Sequence, residues 1–322
     1  MADKIYIGID GGGTKTGFSA SDENGNVLVK FNKPTIHAKQ VEEEVIRKLL
    51  NESIDEILEK TNSTKEDIGF TFAGIPGYGE YEDVIILMNK VMEDVLESKN
   101  FELGNDSVCG WAGSQAGRPG VNMVLGTGAI AYGMDYEGNS ARSSGWGPYC
   151  GDEGSAYWIA RNAINIFAKE SDGRLERGPL YHLIKEKFQF EEDFDFISII
   201  ADFNDDRTEI AKISMILSKA AKEGDENAIN LIKDVAYEAS IAIRACYEKM
   251  NFKEDERIFV SFSGGVFNIG SLLTDEIKRL LSDDERIEFM ESILEPSEGS
   301  ILMALKASGI EITEEIVENL KG

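Results

Sequence analysis

Residues 5–16 read IYIGIDGGGTKT, and a shorter echo, VNMVLGTG, occupies residues 121–128. Each describes a buried strand that runs straight into a Gly/Thr loop. Glycine lets backbone N–H groups approach phosphate oxygens with no Cβ in the way, while Thr14, Lys15 and Thr127 add hydroxyl and ammonium donors. Tight turns rarely need three consecutive glycines, so the pair of loops predicts two phosphate clamps facing one cleft, and hence an ATP user. Asp10 ends the first strand, where it is placed to hold Mg²⁺ through water, because that ion favours one or two carboxylates together with phosphate oxygens.

Outward from the first loop, Asn24-Gly25 marks a hairpin between strands at 17–21 and 27–32. Apolar residues at helical spacing predict helices over 41–59 and 81–96, with a buried strand at 68–73 between them and a short strand at 107–109. A Gly-rich stretch, 111–120, reads as the passage into a second domain, where strand, loop and strand begin again (121–125, 130–134) before a turn at 137–139. This partial repetition predicts a duplicated fold. Helices follow at 155–169, 178–188, 211–222 and 227–250, and the acidic stretch 191–209 reads as a solvated loop. A strand over 257–263 opens through Gly264-Gly265 into a helix at 271–281, and two helices at 297–307 and 313–320 close the chain.

At 322 residues the chain exceeds one comfortable core, and 42% hydrophobic content suits a soluble globular enzyme. With 59 acidic against 33 basic side chains, the net charge of -26 excludes nucleic acid and anionic membrane surfaces as partners. The same field repels ATP, so a clamp must work locally, through backbone dipoles, Lys15 and a metal ion. No apolar run approaches a membrane span, and residues 1–4 lead directly into the first strand, which together predict a cytoplasmic protein. Cys109, Cys150 and Cys246 are odd in number and far apart, which predicts reduced thiols rather than a disulfide frame or a zinc site.

A third informative region is residues 145–157, GWGPYCGDEGSAY. Two carboxylates lie between glycines at a predicted helix start, where the positive end of the dipole favours negative charge. Asp152 is either an N-cap or, with Glu153, a partner for a polar ligand's hydroxyls, the residues Gly145, Trp146 and Gly147 then adding backbone N–H groups.

The segments IGIDGGGTKT, LGTGAIAYG, GWGPYCGDEGSAYWIA and SFSGGVF, in this order and over nearly the whole chain, resemble the N-acetylglucosamine kinase and BadF/BadG/BcrA/BcrD ATPase family of the actin, hexokinase and Hsp70 superfamily. GDEGSAYWIA is the most specific, and it is similar to the amino-sugar kinase branch, including the bacterial N-acetylmuramic acid/N-acetylglucosamine kinases of cell-wall sugar recovery. The resemblance implies an α/β fold of two actin-like (ribonuclease H-like) ATPase domains, with mixed five-stranded sheets flanked by helices and nucleotide and sugar in the interdomain cleft. On the motifs, the first domain is 1–111 and the larger second one 112–311, with the C-terminal helix, 312–322, packing back on the first. Gly11, Gly12, Gly13, Thr14, Lys15 and Thr16 would form the first phosphate loop, Gly126, Thr127 and Gly128 the second, and Gly264 and Gly265 would lie on the adenosine half. Ile36, His37, Ala129, Gly145, Trp146, Gly147, Asp152 and Glu153 would line the sugar site. ATP and Mg²⁺ are the implied cofactors, Asp10 the metal residue, the sugar's 6-hydroxyl the acceptor, and a homodimer the assembly to consider.

Departures from the family pattern fall in the acceptor half. Where these sugar kinases carry an aspartate before a small-residue run, CGWAGS has Gly110; Thr35-Ile36-His37 lacks the family's asparagine, and Ala129-Ile130 replaces a Ser-Asn pair. This implies a sugar with an apolar or larger substituent, as a 3-lactyl ether would be. Asp152 is the first candidate for the displaced catalytic base, followed by Asp106 should the strand register differ, and then His37. Two other readings stand beside the kinase: an ATPase that activates a 2-hydroxyacyl-CoA dehydratase, against which the scattered cysteines speak, and a sugar sensor that binds without catalysing.

Overall fold

A computed structural model describes residues 4–322. The chain divides into two units: the first runs up to Pro119 and resumes at Met290–Gly322, and the second is Gly120–Phe289.

In the first unit, β1 (Ile5–Gly11), β2 (Lys15–Ser21) and β3 (Val27–Pro34) form an antiparallel meander; α1 (Glu43–Thr61) leads to β4 (Ile68–Ile75), α2 (Glu82–Leu96) to β5 (Phe101–Asn105), and α3 (Asp106–Gln115) follows. The sheet order is β3-β2-β1-β4-β5, with β4 and β5 parallel to β1. Alternation along β1 sends Ile5, Ile7 and Ile9 into one core with Ile46, Leu50 and Ile54 of α1 and Val84, Met88 and Val91 of α2.

The second unit repeats the plan. β6 (Gly120–Leu125), β7 (Ala129–Met134) and β8 (Ser140–Ser144) form the meander, followed by α4 (Ala156–Ser171), α5 (Pro179–Phe188), α6 (Asp195–Ala201), α7 (Arg207–Ala211), α8 (Ser214–Lys222) and α9 (Glu226–Tyr247). β9 (Ile258–Ser263), α10 (Ser271–Leu280) and β10 (Ile287–Phe289) complete a sheet of order β10-β9-β6-β7-β8, with β9 parallel to β6 and β10 to β9. Each sheet therefore has one meander and two parallel crossovers, the duplication that the repeated strand and loop predict. Val121, Met123 and Leu125 of β6 pack on Ile159 of α4 and Val235 of α9.

After β10 the chain returns to the first unit as α11 (Pro296–Ala307) and α12 (Glu314–Lys321). This corrects the expected boundary at 111/112, which falls inside α3, and the expected end of the second domain at 311. Gly113, one of the glycines taken for a linker, serves helix packing instead: a Cβ on it would lie 2.5 Å from the Glu295 carbonyl oxygen, and on the facing helix a Cβ on Gly299 would lie only 2.3 Å from that of Cys109. α3 and α11 thus cross with their backbones in contact, and α11 also presses on β1, where a Cβ on Gly8 would meet Ser300 Oγ at 2.3 Å. The expected strand at 107–109 is the first turn of α3, and the stretch 191–209 holds α6 and the start of α7 rather than a loop. The helix expected over 211–222 breaks at residues 212–213 into α7 and α8. Among the described residues no helix is long and apolar enough to cross a membrane.

Candidate active site

The turn after β1 is closed by Gly12 N donating to the Lys15 carbonyl at 2.9 Å and by Thr35 Oγ1 donating to the Gly12 carbonyl at 2.7 Å. Gly13, Thr14 and Lys15 stay exposed at its tip. The glycines do different jobs. A Cβ on Gly11 would lie 2.7 Å from the Gly74 carbonyl oxygen, so the fold demands that glycine, whereas a Cβ on Gly13 would meet nothing within 4 Å. Gly13 leaves open space at the tip, and its backbone is approachable by an anion. Thr16 corrects an expectation: its side chain is buried, and Oγ1 accepts from Ile36 N at 3.2 Å, so it braces the loop from behind. Ile36 corrects another, since its side chain lies wholly in the first core. His37 is half-buried; its Nδ1 accepts from Lys39 N at 3.2 Å and burial holds its pKa down, so the ring is neutral near pH 7.

Asp10 pairs across the sheet with Gly74, and Asp106 stands just beyond, because a Cβ on Gly74 would lie 3.2 Å from Asp106 Cα and 2.4 Å from Cys109 Sγ. β5 ends at Asn105, whose side chain caps α3 by accepting from Ser107 N at 3.2 Å, and Asp106 is the first residue of the helix. Burial and then the charge of Asp106 push the pKa of Asp10 up to about 7, against the pull of Lys15. Cys109 donates from Sγ to the Ile9 carbonyl at 3.8 Å; burial and then the two aspartates raise its thiol far above the ordinary range, so it is inert packing. Asp106, rather than Gly110, is therefore the carboxylate beside Asp10. Reading 107–109 as a strand displaced the helix start, and with it the aspartate, by one turn; Asn-Asp ahead of a small-residue run was the N-cap signal that could have corrected it.

Hard carboxylate oxygens suit Mg²⁺, and the desolvation that raises Asp10 is what a bound cation would relieve. Among the described residues no group of three or more His, Cys, Asp or Glu could hold a metal by itself. The pair fits an ion that completes its shell with water and phosphate oxygens.

In the second unit the loop after β6 borders a cavity of about 540 Å³, with Gly126 and Thr127 at one edge. Ala156 and Ile159 of α4, Thr208 and Ala211 of α7, Met215 of α8, and Gly265, Val266 and Ile269 close it. Largely apolar walls with a hydroxyl- and glycine-bearing edge suit a nucleoside with phosphates at that edge. Gly264 permits the turn: its φ is +100°, and a Cβ there would lie 2.4 Å from the Leu125 carbonyl oxygen. A Cβ on Gly265 would meet nothing within 4 Å.

Residues 144–154 form a strained loop. Ser144 and Asp152 hold positive φ of 60° and 57°, and so do Gly145, Gly147 and Gly154. Asp152 does not cap α4; Ser155 does, accepting from Trp158 N at 3.1 Å. The buried Asp152 carboxylate instead accepts from Gly147 N at 3.2 Å and from Arg207 Nη2 at 3.0 Å, and also from Ala129 N. A Cβ on Gly128 would lie 3.1 Å from Asp152 Oδ2, so the loop after β6 rests on this carboxylate. Ala129 itself is core, whereas Trp146 is 75% exposed. Burial raises the pKa of Asp152 while Arg207 and the amide donors oppose it. A carboxylate so engaged is poorly placed as the expected base. Arg207 was missed in the sequence because it lies 55 residues from its partner, inside the stretch read as a loop.

The chain is 30% identical over 317 residues to the N-acetyl-D-glucosamine kinase of Dictyostelium discoideum, covering 95% of this chain and 99% of that protein. It is 31% identical over 283 residues to the N-acetylmuramic acid/N-acetylglucosamine kinase of Clostridium acetobutylicum, covering 87% and 90%. Among solved structures, a candidate N-acetylglucosamine kinase from Chromobacterium violaceum matches with a TM-score of 0.72 at 19% identity, over 95% of this chain and all of that one. This likeness carries the fold, two actin-like α/β domains. The model of the BadF/BadG/BcrA/BcrD ATPase family matches residues 7–304, and the chain belongs to that family.

Proposed function

We propose that this ATP-dependent sugar kinase phosphorylates an N-acetylated amino sugar, N-acetylglucosamine or N-acetylmuramic acid, at its 6-hydroxyl, in the recovery of cell-wall sugars in the cytoplasm. The observation that carries the reading is the carboxylate pair of Asp10 near the end of β1 and Asp106 at the start of α3, beside a phosphate-type turn whose tip is left open at Gly13. Support comes from the two relatives, each a kinase of such a sugar, matched over nearly the whole chain.

In this reading Asp106 accepts the proton of the sugar hydroxyl as its oxygen bonds to the γ-phosphorus and the bond to ADP breaks. Asp10 is the residue that would hold Mg²⁺, which when bound neutralises charge on the phosphates. In the first unit the phosphate-binding groups are Lys15 and the backbone of Gly13 and Thr14; in the second they are Gly126, Thr127 and Gly128, at the cavity that takes the adenosine against Gly265 and Ile269. Gly145, Trp146, Gly147, Glu153 and the loop held by Asp152 receive the sugar. Phosphoryl transfer depends chiefly on positioning and charge stabilisation, so the base adds a moderate factor to a site built mostly to hold its substrates.

ADP release is to be measured with Mg-ATP and N-acetylglucosamine, N-acetylmuramate, glucosamine and glucose. Stimulation by the N-acetylated sugars, above that by glucose, supports the proposal. Equal background hydrolysis with all four would overturn it.

A further inference from the structure

Asp152 joins three pieces of the second unit through one carboxylate: the second phosphate loop at Gly128 and Ala129, the turn at Gly147, and, through Arg207, helix α7. α7 also presents Thr208 and Ala211 to the adenosine-sized cavity. Arg207 is shaped for a fixed role. Its guanidinium sits 5.6 Å from the Tyr157 ring centre, with Arg161 at 5.9 Å from the same ring, and its Nε is buried without a hydrogen-bond partner. A half-buried arginine engaged through one Nη group on a single carboxylate works by holding that carboxylate in place.

We propose that Arg207 is a positioning residue for the acceptor sugar: by gripping Asp152 it holds the Gly145–Gly147 turn in shape and ties that turn to the wall of the nucleotide cavity. This rests on the reading of residues 144–153 as the acceptor site, which nothing else in the proposal requires.

Arg207 is the charge that acts on Asp152 most strongly, with Asp206 beside it in the chain and Arg161 across Tyr157. Without Arg207, burial of Asp152 is countered only by the Gly147 and Ala129 amides, and the carboxylate protonates at higher pH. In Arg207→Gln the KM for N-acetylglucosamine is expected to rise about tenfold, roughly 1.4 kcal/mol, with kcat reduced less and with the acid side of the kcat/KM profile moved to higher pH. Arg207→Lys, which keeps the charge, recovers part of the KM and the original pH profile.

Melting temperatures give a readout independent of sugar. A carboxylate whose folded pKa is raised loses stability as pH rises through that value, so the deficit of Arg207→Gln against wild type should grow as pH rises from the ordinary carboxylate range to above the raised pKa. Adding Asp152→Asn should remove that pH dependence. If the deficit is flat with pH and the two substitutions add, the grip of Arg207 on Asp152 is overturned. If the melting cycle behaves as expected while the sugar KM and its pH profile stay unchanged, the positioning role is overturned. If wild type phosphorylates none of the N-acetylated sugars, the acceptor-site reading fails, whatever the melting cycle shows.

Discussion

Asp10 and Asp106 carry the sharpest chemistry in the molecule, and each has its own test. Asp106→Asn keeps the side chain's shape but removes the proposed base. Its kcat should fall about 10²- to 10⁴-fold with the KM for sugar and ATP changed by no more than about threefold, the usual share of general base catalysis. Asp152→Asn should act mainly on the sugar KM; the reverse pattern in steady-state kinetics would return the base role to Asp152. Asp10 stores instability for the sake of function. Its pKa is raised from 3.8 to about 7, so the folded protein binds that proton more tightly than the unfolded chain, and stability is lost as pH rises from about 4 through about 7. Asp10→Asn should therefore stabilise the ligand-free protein at pH 8 by on the order of 2 kcal/mol, with no gain at pH 4, while abolishing activity. Denaturant melts at the two pH values check this, and equal gains at both would contradict it.

At the scale of elements, the two glycine-bearing loops separate fold from function. Gly13→Ala should change stability by less than about 0.5 kcal/mol, since its Cβ meets nothing, yet weaken ATP binding at least tenfold by filling the phosphate approach. Gly264→Ala should do the opposite first, destabilising by about 2–4 kcal/mol through positive φ and a Cβ 2.4 Å from a carbonyl oxygen. Calorimetric melts and nucleotide titrations distinguish the two. The contrast also shows what was legible in the sequence. Strands β1, β2, β6, β7 and β9 could be read because their alternation ends in glycine punctuation, and the loops that follow them could be read for the same reason. β5, β8 and β10 lacked that signal: FELGN and SARSS carry too few apolar residues for a period of two, and β10 is three residues long. The misread start of α3 cost most, because it put Gly110 where the base was looked for and passed over Asp106, the proposed base. Thr16 and Ile36 looked like ligand residues in the sequence, but only burial shows that they support the loop from inside.

For the whole molecule, the duplicated meander and crossovers followed from two strand-loop segments placed at the starts of two stretches of chain. The return of α11 and α12 to the first unit did not, because the close backbone crossing of Gly113 with Glu295 and of Gly299 with Cys109 joins residues 182 and 190 positions apart. Net charge acts at this scale too. With -26 on the chain, the far field repels Mg-ATP, and added salt screens it. Raising ionic strength from about 0.02 to 0.2 M should therefore increase kcat/KM for Mg-ATP about two- to fivefold; a decrease would mean that the local cations outweigh the field. Phosphoryl transfer to an amino sugar is the central claim proposed for this kinase, and the most direct measurement is ³¹P NMR of the product formed from Mg-ATP and N-acetylglucosamine. The account predicts a phosphomonoester coupled to the sugar's C6 protons, absent with Asp106→Asn over the same time. ATP converted to ADP and free phosphate, with no sugar ester, would contradict it.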